Sequence, residues 1–237
     1  MQVVTTAAGL VVFPMIAGIL GGIVAVVGKV PAAAVSGVQH FAAGVVMAAV
    51  AGEVLPELRD RGPLWLVVIG FGAGVALLLG MRRFEDRDIS TPGALPAGFM
   101  VVIGVDLFVD GLLVGAGAAV SRDTAVVIAV ALTIEVLFLG MTVGLRLLES
   151  GSTKTAAAAI TAGLVSLVGV GAVLGGLLLA GAGDNVLALV LAFAAAALLW
   201  LVVEELLVEA HETEERPWMA AMFFVGFFAL FCLESLT

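Results

Sequence analysis

Asp106, Asp110 and Glu135 each sit inside a long apolar run, and no Lys or Arg lies beside them to neutralise their charge. A spacing of four puts Asp106 and Asp110 on one face of a helix, one turn apart. The surroundings echo each other: Asp106-Leu-Phe-Val-Asp110-Gly111 and Glu135-Val-Leu-Phe-Leu-Gly140 both place an acid five residues before a glycine. Two chemistries are open to such acids. They are protonated and hydrogen-bond between helices, or they enclose a cation. On insertion scales an ionisable residue in mid-membrane costs roughly 2.5–3.5 kcal/mol, a large outlay for interhelical hydrogen bonds alone, so the cation is favoured. Three ionised carboxylates around one divalent ion leave about one net negative charge, and metal and proton binding are then coupled.

Other polar residues fall near the ends of apolar runs. His40 stands near the start of one, with Glu53 and Glu57 on a shared face towards its other end. Glu53 is deep enough for a mouth or cavity, whereas Glu57 reads equally well as a solvated helix end. Glu204 and Glu205, followed by Glu209 and His211, read either as a metal exit path or as a solvated acidic end. Met47, Met141 and the aromatic cluster at 223–231 read as packing.

The elements that must position these residues are membrane spans. Of 237 residues, 62% are hydrophobic and 12% charged, against about 45–50% and about 25% in a soluble domain. A span needs about 20 predominantly apolar residues. Breaks at charges and prolines give eight: 7–28, 36–57, 64–81, 97–120, 125–148, 155–181, 184–208 and 217–235. The fold class is therefore all-α, a polytopic helical bundle forming a single transmembrane domain over 1–237, integral to the cell membrane and in contact with the lipid bilayer. Loops are short, the longest being Met81–Pro96. The loops after spans 1, 3, 5 and 7 hold seven Lys and Arg (Lys29, Arg82, Arg83, Arg87, Arg146, Lys154, Arg216), and the other side holds three (Arg59, Arg61, Arg122). The positive-inside rule then sets both termini outside the cytoplasm. A lone cysteine, Cys232, excludes an intramolecular disulfide and a cysteine metal cluster. The net charge of -9 gives no footing for nucleic acid, and no such partner is expected.

At these residues the chain resembles the ZIP family of divalent-metal transporters. His40-Phe-Ala-Ala-Gly44 followed by Glu53-Val-Leu-Pro56-Glu57 is similar to that family's second helix. Val202-Val203-Glu204-Glu205-Leu-Leu-Val208-Glu209-Ala-His211 resembles its Val-Glu-Glu-Leu-Leu-Pro-Glu-Ala-His stretch, with Val208 at the proline. Ala162-Gly163-Leu-Val-Ser166-Leu167-Val-Gly169 resembles a Ser-Gly-Leu-Val-Glu-Pro-Leu-Gly stretch of the sixth helix. The likeness runs over essentially the whole chain. It implies a ZIP-like bundle of eight spans with extracytoplasmic termini, a homodimer, and uptake of a divalent ion (Zn, Mn, Fe or similar) by alternating access of one helix bundle against another.

Departures from the family pattern fall at its metal-binding motifs. Asp106, Leu107, Val109, Asp110 and Gly111 occupy the places of His-Asn-x-Pro-Glu-Gly in the fourth helix. Glu135, Val136, Phe138, Leu139 and Gly140 occupy those of the fifth-helix motif. The second-site ligands have become Leu107, Val136 and Ser166, and the shared fifth-helix Glu has become Leu139. The resemblance thus implies one all-carboxylate site, Asp106, Asp110 and Glu135, in place of a two-metal centre with histidine. Oxygen-only sites suit harder ions such as Mn²⁺ or Mg²⁺, although carboxylates also bind Zn²⁺.

Two rival readings differ in class. One is a ZIP-like protein that no longer carries metal, leaving a proton or monovalent-ion pathway or a membrane sensor. The other is an intramembrane aspartyl protease, on the strength of Gly181-Ala-Gly183-Asp184. That four-residue match is cheap in a Gly- and Ala-rich chain and falls in a loop. No cofactor and no catalytic residues are expected.

Overall fold

The structure, a computed structural model, describes residues 1–28, 31–85, 97–214 and 216–234. Lys29 and most of the Met81–Pro96 loop, Arg87 included, lie outside the described residues. Among the described residues, eight helices follow in order: α1 (Gln2–Val27), α2 (Ala32–Arg61), α3 (Leu64–Glu85), α4 (Ala97–Val120), α5 (Arg122–Glu149), α6 (Lys154–Leu179), α7 (Asp184–His211) and α8 (Pro217–Glu234). No strand occurs among the described residues. Seven of these helices contain an apolar stretch long enough to cross a bilayer, and the eighth has a shorter one, Pro217–Cys232. The chain is a multi-pass helical membrane protein. Most helices extend a few residues past the expected spans, because a helix that leaves the hydrocarbon stays helical while its charged ends are solvated.

Interruptions in the helices have local causes. Pro14 has no N–H to give the Leu10 carbonyl, and α1 breaks its regular pattern at Val11. Pro56 similarly withholds a donor from Gly52, and α2 widens into a π-turn over Val50–Val54. α7 makes a similar turn over Leu201–Leu206, in a helix that contains no proline. Ser121 caps α5, its Oγ accepting from Thr124 N at 3.0 Å. Gly181, at φ +81°, ends α6, and Asp184 opens α7. The Gly181-Ala-Gly183-Asp184 sequence is thus a helix stop followed by a helix start.

Packing divides the chain into two compact units, Met1–Lys29 with Ala76–Ala182, and Val30–Val75 with Gly183–Thr237. In the first, α4 packs along α6 and α5 along α1. Glycines permit both contacts: a Cβ on Gly111 would strike the α6 backbone at Val168 and Gly171, and one on Gly140 would strike Gly18 of α1. Lipid tails are as apolar as the helices, so association rests on this close van der Waals fit. Leu107, Leu113, Ile128, Leu132, Val136 and Val168 are buried between these helices.

The second unit is built on α2, which packs against α8 and α7. Gly44 lies against the Phe223 carbonyl and Gly226 against the Phe41 carbonyl. Bonds at both ends hold α2 antiparallel to α7: Ser36 Oγ donates to Ala210 O (2.8 Å), and Arg61 reaches Asp184 (3.2 Å).

Candidate metal centre

α4 and α5 form an antiparallel hairpin about Ser121, and that geometry sets the depth of the acids. Asp110 and Asp106 precede Ser121 by eleven and fifteen residues, and Glu135 follows it by fourteen. At 1.5 Å per residue these are about 16, 22 and 21 Å along the helices. Glu135 is therefore level with the Asp106–Asp110 turn, well inside a hydrocarbon layer about 30 Å thick.

The side chains meet. One ligand oxygen from each of Asp106, Asp110 and Glu135 lies within 4.8 Å of the others. Asp110 and Glu135 are buried, at 5% and 4% exposure, and Asp106 is half-buried. Asp110 Oδ2 and Glu135 Oε2 are inaccessible atoms that accept no hydrogen bond, although both residues have other partners. The donor set, three hard anionic oxygens, fits a divalent ion that would share them.

Of the four neighbouring positions singled out in the sequence, Leu107, Val136, Leu139 and Ser166, two are closed by packing. Leu107 is 1% exposed and Val136 is completely buried. Leu139 is half-buried, and Ser166 is exposed with its Oγ turned back onto the Gly163 carbonyl (2.6 Å).

The remaining candidates belong to the second unit. Glu53 is half-buried in the π-turn of α2, and Glu204 and Glu205 are half-buried in that of α7. Glu57 pairs with Arg61 at 2.5 Å. His40 is buried and His211 exposed, with ring centroids 5.3 Å apart. Ser36 and Gln39, not anticipated from the sequence, are also buried; Gln39 Nε2 donates to Glu209 Oε2 at 2.7 Å. Only their place beside His40 marks them in the sequence, since the partners lie some 170 residues away. Asp184 has an exposed side chain paired with Arg61. Compared with known proteins, the chain matches no family model and no curated protein.

Proposed function

We propose that this protein is a carrier that moves a divalent metal ion into the cytoplasm, holding it in transit between Asp106, Asp110 and Glu135. The observation that carries the reading is the convergence of three carboxylates from two apolar helices to within 4.8 Å. Exposed acids cluster often without a ligand, but acids at hydrocarbon depth carry an energetic cost that a structural role repays poorly. The transported ion is the substrate, and oxygen ligands favour Mn²⁺ or Mg²⁺ over ions that prefer imidazole.

With the ZIP resemblance, the proposal extends to eight spans with both termini outside, a homodimer in the cell membrane, and alternating access by movement of one helix unit against the other. The candidate site lies wholly within one of the two units, as such a mechanism requires of a site carried by one moving body. The protease reading has little support: Asp184 is an exposed helix-opening residue paired with Arg61.

The test is uptake by proteoliposomes across Mn²⁺, Fe²⁺, Zn²⁺, Co²⁺, Cd²⁺ and Mg²⁺. Wild-type protein takes up at least one of these, and Asp106→Ala and Glu135→Ala proteins do not. Uptake unchanged in both variants removes the site assignment. No uptake of any ion favours a ZIP-like protein that does not carry metal.

A further inference from the structure

The start of α2 and the end of α7 hold a second set of ligand-type side chains, on helices other than those of the carboxylates. Ser36 Oγ donates to Ala210 O at 2.8 Å, and Gln39 Nε2 to Glu209 Oε2 at 2.7 Å. These two bonds fix the register of the helix ends. In that register His40 and His211 lie with ring centroids 5.3 Å apart and planes inclined by 54°.

One ring nitrogen of each histidine is committed to a backbone carbonyl of its own helix. His40 Nδ1 lies 2.9 Å from the Ser36 carbonyl, and His211 Nδ1 bonds the Leu207 carbonyl. A carbonyl oxygen only accepts, so Nδ1 is the donor in each of these contacts, and Nε2 is the nitrogen of each ring that can meet an ion. Metal-binding histidines are held in this way, one nitrogen donating to a carbonyl while the other meets the ion. A tetrahedral ion about 2.0 Å from each nitrogen holds two imidazole centroids roughly 5 Å apart. The observed centroid separation, 5.3 Å, is of that size.

We infer that His40 and His211 form a bis-imidazole site for a borderline divalent ion of the Zn²⁺, Co²⁺, Ni²⁺ or Cu²⁺ class, which clamps the start of α2 to the end of α7. Ring nitrogens disfavour Mg²⁺ and Mn²⁺ there, so the ion preference is opposite to that of an all-oxygen centre. Two protein ligands leave coordination positions for water. The site therefore fills and empties with the ion concentration on its side of the membrane, as a sensor does.

The test uses the full chain in nanodiscs, in an Asp110→Asn/Glu135→Gln/Cys232→Ser background that removes the buried carboxylates and the exposed thiol. Equilibrium dialysis with Zn²⁺ is expected to find one ion per chain. Either His40→Gln or His211→Gln weakens binding at least tenfold, and Cu²⁺ loaded into the same background shows two imidazole nitrogens by electron paramagnetic resonance. His211 is exposed, so its variant keeps the fold and its loss of binding is not loss of structure. The inference is overturned if the His211→Gln protein binds Zn²⁺ as tightly as its parent, if fewer than two nitrogens couple to Cu²⁺, or if the background binds no Zn²⁺. Because that background already lacks the buried carboxylates, failure of the transport reading leaves this test unchanged.

Discussion

Asp110→Asn separates a metal centre from a structural cluster of acids, because the two predict opposite signs for its effect on stability. Two unit charges within 4.8 Å of each other repel by at least about 3.5 kcal/mol at an effective dielectric constant near 20. Asp110 faces two such neighbours, so full ionisation without metal sets at least about 7 kcal/mol against it. Taking up a proton is the alternative, and for a carboxyl of ordinary acidity that costs about 4 kcal/mol at pH 7. The smaller figure governs, and the metal-free centre carries a penalty of about that size. An amide of the same shape abolishes it, while giving up hydrogen bonding worth about 1–3 kcal/mol. The metal-free variant is thus expected to equal or exceed wild type, by up to about 3 kcal/mol on these figures. Its Mn²⁺ affinity falls by more than the roughly 10–100-fold typical of losing an outer-shell partner. Thermal unfolding in detergent with and without Mn²⁺, alongside calorimetric titration, measures both quantities. A lower melting temperature combined with undiminished stabilisation by Mn²⁺ would refute the argument, because the carboxyl would then be a hydrogen-bonding strut.

Four further outcomes follow from the same geometry. Glu135→Gln and Asp106→Asn bring proteoliposome Mn²⁺ uptake to background while the proteins purify and unfold cooperatively; retained uptake in either counts against a three-ligand site. Carboxylates must lose protons to bind metal, so apparent affinity rises with pH and protons appear on binding at low pH, which titration in buffers of different ionisation enthalpy detects; equal heats in all buffers contradict it. Gly140→Leu drives a side chain into the Gly18 backbone and destabilises the protein by at least the roughly 1–3 kcal/mol of overpacking, read from denaturant unfolding. Arg61→Ala breaks pairs with Glu57 and with the exposed Asp184, yet surface pairs contribute less than about 1 kcal/mol; a larger loss in the same assay would show that this helix junction matters more than its exposure implies.

The sequence by itself determined the helical membrane architecture, since apolar runs of spanning length separated by short charged breaks allow backbone groups to be satisfied in lipid only as helices. It also determined the pairing of Asp106 with Asp110, because a spacing of four on a helix fixes a shared face. The depth of Glu135 was legible too, from its distance to the α4–α5 turn. Local periodicity does not say which way two helices are rotated about their own axes, so the meeting of Glu135 with the two aspartates was decided in three dimensions, with α4 seated on α6 through Gly111 and α5 on α1 through Gly140. The place of Leu107 and Val136 followed from the same packing: beside the acids in sequence, they are buried apolar contacts in the fold. Gly181-Ala-Gly183-Asp184 resolved as a stop and a start only once the backbone angle of Gly181 was seen. His40 and His211 stand far apart along the chain, on the second and seventh helices. Only the tertiary structure could join them, because the register of α2 against α7 is set by contacts that no local pattern encodes.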